Sequence, residues 1–573
     1  MGYGFWRSRS KVHLGIGGKL TALILLVYLT NNGVVDRLRF VIDDARPLTA
    51  IVFVAIWMIC LGALAAAAFH PRPLVRFLWA IPIALSSAIA YGYHRAQGGE
   101  FFIFDVLNLW AARHEAGRAA DFYGEAIPAA IAVLLIGLIA IIMPPALPRR
   151  LPRISHTAML VAPLVPILMI AGVVVMKEGK GSYSLPRQFA PISLAALAAY
   201  KINTGGFEER HAVALPHGTP LVRAIVLIVD ESIRADHVSL SPGNRSTPAF
   251  AEHAERWVDF GPAVAAGNCS RLSNAILRLM ADRHDVVRSI HTSPTVWDYA
   301  KAAGYRTVFI DAQAKFVNVH GKLQNLMTPA ETLKIDRMHQ LGSDIATHDL
   351  DDALTTIVLE ELAADGPVFI YANKNGAHFP YDNGSPEAFI PSGVFLPTDS
   401  DATHDMFENY LRAVQWSTDR PMARLSAEAE LDDAVVIYTS DHGQHFEPGR
   451  LTHCSSDTNV DVNEAIVPLM AATDNMEIAA RLRDTAAHGA GRGTHFAIAP
   501  TILELMGYRP SDFASRYDVS LLDDLSWAPS FVSGDILGLF SPKPDWHPAD
   551  PTVQQPQTGD AIAELTGQSV VTD

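Results

Sequence analysis

Two stretches of this chain end in side chains able to hold a metal ion. The first, Ile225-Val226-Leu227-Ile228-Val229-Asp230-Glu231-Ser232, is an apolar, β-branched run that stops in two carboxylates. A buried parallel strand reads this way when its C-terminal end delivers ligands, and open α/β sheets bind ligands at that edge. The second, Ala434-Val435-Val436-Ile437-Tyr438-Thr439-Ser440-Asp441-His442-Gly443, repeats the grammar. It offers Asp441 and His442 as oxygen and nitrogen donors, with Gly443 permitting a tight turn. Singly, each stretch also reads as a turn bearing solvated acids. Together they read as one metal centre built from distant segments.

Between them, Gly267-Asn268-Cys269-Ser270-Arg271-Leu272-Ser273-Asn274 forms a small polar loop opening an amphipathic helix. A hydroxyl there is often only an N-cap. It is also where a nucleophile or anion gains most from unpaired backbone donors and the helix dipole. A serine attacks poorly unless a base or a metal lowers its pKa.

These segments need an α/β scaffold. From 221 onwards strands are expected at 224–229, 307–310, 368–372 and 434–439, alternating with helices at 248–256, 272–281, 295–303, 350–363, 405–427 and 498–506. The pattern predicts a mostly parallel central sheet between helices. The 573 residues exceed what one core usually supports. The first 180 residues are apolar with scattered basic residues, and most acids come later.

Five apolar stretches, about 17–33, 49–69, 76–93, 126–145 and 155–176, approach the ~20 residues that span a bilayer. The basic start (Arg7, Arg9, Lys11) has no small-residue cleavage site after it and reads as an uncleaved first span. Basic clusters at Arg72 and Arg76 and at Arg149, Arg150 and Arg153 place those loops on the cytoplasmic side. Arg37, Arg39 and Arg46 run against this, accompanied by Asp36, Asp43 and Asp44. Five spans put everything after Lys177 on the side opposite the N-terminus, which for a bacterial protein is the periplasm. The domain division is therefore 1–177 transmembrane, with a periplasmic loop at about 95–125. A linker follows at 178–220 with an interfacial helix (Leu194–Ile202), then a catalytic domain at 221–540 and a flexible Pro- and Gln-rich tail at 541–573. In the loop, Phe101 to Trp110 suggests either a helix lying at the interface or a packed lid.

The net charge of −15 argues against nucleic acid as a partner. Three cysteines set no disulfide framework. Cys60 lies in an apolar run. Cys269 and Cys454 flank candidate site residues, and either a bridge between them or two free thiols fits.

The ordered set is more specific than any member. Strand-Asp-Glu, Gly-x-x-Ser at a helix start, Asn375-Gly376-Ala377-His378-Phe379-Pro380-Tyr381, Thr439-Ser440-Asp441-His442-Gly443, Leu451-Thr452-His453 and the late helix 494–503 together resemble the alkaline phosphatase/sulfatase superfamily. Within it the chain resembles the inner-membrane phosphoethanolamine transferases, with lipoteichoic acid synthases as more distant relatives. The resemblance covers nearly the whole chain and implies five spans ahead of an alkaline-phosphatase/sulfatase-like domain.

By position it makes Glu231, Asp441, His442 and the nucleophile Ser270 ligands of Zn²⁺, with Mn²⁺ as the alternative. Asp230 is expected to assist the metal, as the paired acids of sulfatases do. His378 and His453 would hold the phosphoryl group or protonate a leaving oxygen, and Ser273 and Asn373 would contact substrate. The implied partners are a phospholipid donor and an envelope acceptor (lipid A, a glycan or another lipid), handled by a monomer. Three departures stand out. Serine replaces the family's threonine, Asn373 replaces a histidine, and the family's several disulfides are missing. No proline follows Ser270-Arg271 as Cys/Ser-x-Pro-x-Arg requires, which argues against sulfatase chemistry. A phosphoglycerol transferase and a catalytically silent membrane sensor are the competing readings.

Overall fold

The structure is a computed structural model. It describes residues 15–43, 47–97, 100–111, 124, 126–147, 152–204, 209–241, 246–313, 327, 329–342, 344–379, 381–391, 402–446, 452–455, 460–513, 515–517, 519–525, 528–541 and 543–551. Its contacts divide it into two units, Met1–Gly205 with Leu539–Ser541, and Gly206–Gly538 with Pro542–Asp573.

The first unit is helical: α1 (Ile16–Thr30), α2 (Val34–Asp43), α3 (Pro47–Ala68), α4 (Pro73–Gln97), α5 (Ile103–Ala111), α6 (Ala126–Ile142), α7 (Arg153–Val161), α8 (Leu164–Met176) and α9 (Ala190–Thr204). Among the described residues three stretches are long and apolar enough to cross a membrane: Pro47–Ala68, Pro73–Ala96 and Ile154–Met176. The other two expected spans form apolar helices of 15 and 17 residues. Both fall short of the ~20 residues that cross a bilayer core. The expected aromatic segment after 101 is α5. The expected linker helix is longer at both ends, and α9 falls within the first unit.

Small residues bring α4 and α6 together. A β-carbon on Gly137 would sit 2.8 Å from that of Ala84, the close approach that membrane-type helix pairs use. Apolar helices leave their terminal carbonyls in need of donors. Lys19 supplies them: its buried Nζ donates to Ala68 O at 2.5 Å, Met143 O at 2.7 Å and Pro145 O at 3.0 Å. One ammonium thus ties α1 to the chain leaving α3 and α6.

The second unit is built on a seven-stranded sheet in the order β2-β7-β6-β1-β5-β3-β4. The strands are β1 (Ala224–Asp230), β2 (Trp257–Val264), β3 (Arg306–Asp311), β4 (Arg337–Gln340), β5 (Val368–Asn373), β6 (Ala434–Ser440) and β7 (Ile466–Ala472). Pairs β6-β1, β1-β5, β5-β3 and β3-β4 are parallel, and β7 runs antiparallel to both neighbours. Every residue of β1 and β6 is buried. That burial is why both read as unbroken apolar runs and not as alternating ones.

Sequence patterning located four of these strands. It missed β2, where Gly261-Pro262 interrupts the run and the register shifts between Asp259 and Pro262, a bulge that hides the period. It also missed β4 and β7. The tail expected to be flexible is partly ordered: β9 (Asp545–Pro548) pairs with β8 (Ser530–Ser533), and His547 stacks on Phe531. The remainder of that tail, 552–573, lies outside the described residues.

Replacing Lys19 by Met would leave the carbonyls at the ends of α3 and α6 without their donor. The expected cost is about 3 kcal/mol. It would appear as a lowered thermal midpoint of the full chain in detergent, with less effect from Lys19→Arg.

Candidate metal centre

The register of β1 and β6 creates the site. Asp230 pairs with Ser440, so the next residues, Glu231 and Asp441, leave the sheet side by side. The Asp441 amide still donates to Asp230 O at 2.9 Å. Ser232 then takes φ +63°, an unusual conformation for a residue with a side chain and one that concentrates at functional sites. It turns the chain so that its amide donates to Asp441 Oδ1 at 3.2 Å and its hydroxyl to Glu231 Oε1 at 2.9 Å. Gly376 is required beside this turn, because a β-carbon there would lie 2.5 Å from Asp230 Oδ1 and Glu231 O.

Glu231, Asp441 and His442 each present a ligand atom, all within 4.8 Å of one another and all buried. His442 Nε2 is 3.2 Å from Glu231 Oε1 and 3.7 Å from Asp441 Oδ1. Its Nδ1 is 2.6 Å from Gly443 O. Holding Nδ1–H on a carbonyl fixes the tautomer and frees Nε2 to act as a ligand.

Ser270 completes the cluster from the far side. Its Oγ lies 3.2 Å from Glu231 Oε2 and 3.1 Å from His442 Nε2. It is the first residue of helix α10 (Ser270–Arg278), whose N-cap is Cys269. The hydroxyl is therefore not the helix cap and is turned into the cluster.

Burial and charge set the protonation of the three ligands. Burial works to raise the Glu231 carboxyl, but the hydrogen bond and charge of His442, with the charge of His378, hold it well below the usual range. Burial raises Asp441, and the charge of Glu231 adds to it. Burial lowers His442, yet Asp441 and Glu231 outweigh it and raise the imidazole to about 9. A proton on His442 between two carboxylates stands where a divalent cation would sit, and metal binding to such ligands displaces protons. Two carboxylate oxygens, one imidazole nitrogen and one hydroxyl fit Zn²⁺ or Mn²⁺.

His453 is brought to the cluster, its ring stacked on His442 at 4.3 Å with Thr452 Oγ1 2.9 Å from Nδ1. His378 is half-buried, with Nδ1 2.6 Å from Phe379 O. Three further expected site residues make contacts of their own within the protein. Asp230 points away from the metal ligands: Oδ2 pairs with Lys374 Nζ and accepts from Thr418 at 2.9 Å and Tyr438 at 3.0 Å. The reason is that successive strand residues face opposite sides. Ser273 is buried and tied to Gly267, donating to its carbonyl and accepting from its amide, each at 3.0 Å. Asn373 is buried and donates to Asp311 Oδ1 at 2.8 Å. Both support the walls of the site from within.

Patterning missed the residues that hold the ligands. Gln313 donates to Glu231 Oε2 at 2.9 Å and to Lys374 O at 2.6 Å. Asn274 donates to Asp441 Oδ2 at 3.4 Å while accepting from Tyr371 at 2.9 Å and Arg278 at 3.2 Å. Asn274 carried a signal: it lies one helical turn beyond Ser270, on the same face. Gln313 carried none.

Cys269 and Cys454 are joined in a disulfide across 185 residues. It fastens the residue before Ser270 to the residue after His453. Glu464 reinforces this clasp, accepting from Asn268 at 2.7 Å and from the Ser455 amide at 3.0 Å and hydroxyl at 2.6 Å.

Glu231→Gln should strip metal from the purified chain, and Asn274→Ala should weaken binding about 10–100-fold, as read by elemental analysis after dialysis against graded chelator. Retained metal should fall with pH as His442 regains its proton. Replacing both Cys269 and Cys454 by Ala should lower stability by about 3–5 kcal/mol. Thermal scans of the full chain should show this, and reductant should reproduce it in the unaltered chain.

Residues 223–508 match the sulfatase family model. The putative transferase YhbX of Escherichia coli (strain K12) is 28% identical over 230 residues, 39% of this chain and 38% of that protein. The match therefore spans well under half of the curated relative. The integral membrane lipooligosaccharide phosphoethanolamine transferase A (EptA) of Neisseria meningitidis shares the fold at TM-score 0.59 and 16% identity, over 86% of this chain and 97% of that one. A lower likeness, TM-score 0.45 and 18% identity over 57% and 94% of the two chains, is to the periplasmic domain of EcEptC from Escherichia coli in complex with zinc. Residues 223–508 are thus what this chain shares with the sulfatase family.

Proposed function

We propose that this protein is a metal-dependent phosphotransferase of the inner membrane. It moves phosphoethanolamine from phosphatidylethanolamine to a cell-envelope acceptor through Ser270. The observation that carries the reading is the position of Ser270 Oγ, 3.1 Å from His442 Nε2 and 3.2 Å from Glu231 Oε2 at the start of a nine-residue helix. The shared fold with a membrane phosphoethanolamine transferase supports the donor class. The Cys269–Cys454 bridge supports an oxidising compartment such as the periplasm for this domain.

A divalent cation held by Glu231, Asp441, His442 and Ser270 would lower the hydroxyl pKa and offset negative charge on the phosphoryl oxygens. Ser270 Oγ gives up its proton to water and attacks phosphorus in line, forming the Oγ–P bond as the P–O bond to diacylglycerol breaks. The positive end of the α10 dipole favours the developing charge. The leaving oxygen must gain a proton, and the half-buried His453 and His378 are the groups proposed to supply it. The phosphoethanolamine then passes from Ser270 to an acceptor oxygen, returning the hydroxyl. The departure from Cys/Ser-x-Pro-x-Arg at Ser270-Arg271-Leu272 argues against sulfate-ester hydrolysis.

The test is peptide mass spectrometry of the metal-loaded full chain, incubated separately with phosphatidylethanolamine and phosphatidylglycerol without acceptor. Trypsin and reductant release residues 257–271. A phosphoethanolamine adduct on Ser270 from the first lipid, absent in Ser270→Ala, is expected. A phosphoglycerol adduct from the second alone would replace the donor. Release of diacylglycerol without any Ser270 adduct would move the nucleophile elsewhere.

A further inference from the structure

The helical unit holds a cavity of about 830 Å³ walled by α1, α3 and α4 and by the turn after α1. Its floor is apolar, with Leu23 and Leu64 buried in it. Its other end is polar, formed by Asn31, His94 and Arg95. An apolar body with a few polar groups at one end, in this size range, is how a site for an amphiphilic small molecule looks.

Dimensions choose among occupants. From Leu20 to Asn31 the wall follows α1 for about 17 Å at 1.5 Å per residue. That is close to half the ~30 Å hydrocarbon core, the depth of one leaflet. A partner helix crossing the membrane would need about twice that length of apolar groove. Charge points the same way. Arg95 and His94 end α4, where cations favour the helix dipole and can meet a phosphodiester. Glu100, 3.4 Å from where a β-carbon of Gly33 would be, is paired with Arg187, so its carboxylate is already countered.

We propose that this cavity seats one acyl chain of a glycerophospholipid, with the lipid phosphate drawn to Arg95. The proposal rests on the membrane reading of the donor above and adds a site for its hydrocarbon that the transfer chemistry does not use.

The test uses the full chain in lipid nanodiscs containing phosphatidylethanolamine with a diazirine midway along one acyl chain. Photolabelling is expected on the peptides of α1 and α3 that carry Leu23 and Leu64. Leu64→Trp should reduce it at least fivefold at an unchanged thermal midpoint. Leu23→Phe serves as the second variant if Leu64→Trp does not fold. Arg95→Ala, at an exposed position, should reduce labelling by phosphatidylethanolamine about tenfold. Labelling by a diazirine diacylglycerol should stay unchanged. Labelling spread evenly over the outer faces of α1, α3 and α4, or equal in the Arg95→Ala chain, would overturn the proposal. Ser270→Ala should label like the unaltered chain. Labelling without Ser270 adducts would leave the cavity standing and fail the transfer reading; adducts without cavity labelling would do the reverse.

Discussion

The catalytic-type domain is governed by the cost of placing two carboxylates and an imidazole together in a dry sheet edge. Glu231, Asp441 and His442 are all at most 1% exposed. Buried charges are tolerated only when paired and hydrogen-bonded. The parallel pairing of β1 with β6 makes the cluster unavoidable, since the same register that hydrogen-bonds the strands sets Glu231 beside Asp441. Everything around the cluster then serves to satisfy it.

That support comes from three directions. Beneath, Asn274 links Asp441 to Tyr371 and to Arg278, whose guanidinium stacks 5.0 Å over Phe309 and 5.1 Å over Tyr371. On the β5 side, Gln313 bridges Glu231 to the Lys374 carbonyl. On the β6 side, His495 lies 3.0 Å from Thr439 Oγ1, and burial lowers its imidazole to about 3, which keeps it neutral beside His442. Metal sites depend on such outer contacts for ligand orientation and basicity. The disulfide and Glu464 act differently: they hold the loops carrying Ser270 and His453 against the cluster, so Ser270 is positioned by a covalent tie and its helix.

Legibility followed the physics of each feature. β1 and β6 were visible because central parallel strands bury both faces and announce themselves as apolar runs ending in ligands. Glu231, Asp441, His442 and Ser270 were visible because each sits at an element boundary, where composition changes sharply. β2 was hidden by its Gly-Pro bulge, and β7 carries Pro468 within its run. Gln313, Lys374 and Asn274 are ordinary polar residues whose work is defined only by neighbours distant in sequence. Ser273 and Asn373 were assigned substrate contacts by position. In the structure both are buried, Ser273 bonded to Gly267 and Asn373 to Asp311.

Charge accounting explains why Asp230 is kept out of the ligand set. With neutral His442 and an unionised Ser270, Glu231 and Asp441 carry two negative charges, which one divalent cation neutralises. A third carboxylate would leave the bound cation in a net anionic site, where it would polarise an approaching phosphate less. Asp230 is instead cancelled by Lys374, buried beside it, with Thr418 and Tyr438 filling its remaining acceptor positions. Its Oδ1 still accepts from the Glu231 amide at 3.0 Å, so it steadies the ligand's backbone. The adjacent acids therefore divide two tasks by facing opposite sides of one strand. Glu231 would contribute charge to a bound cation, and Asp230 contributes geometry to Glu231.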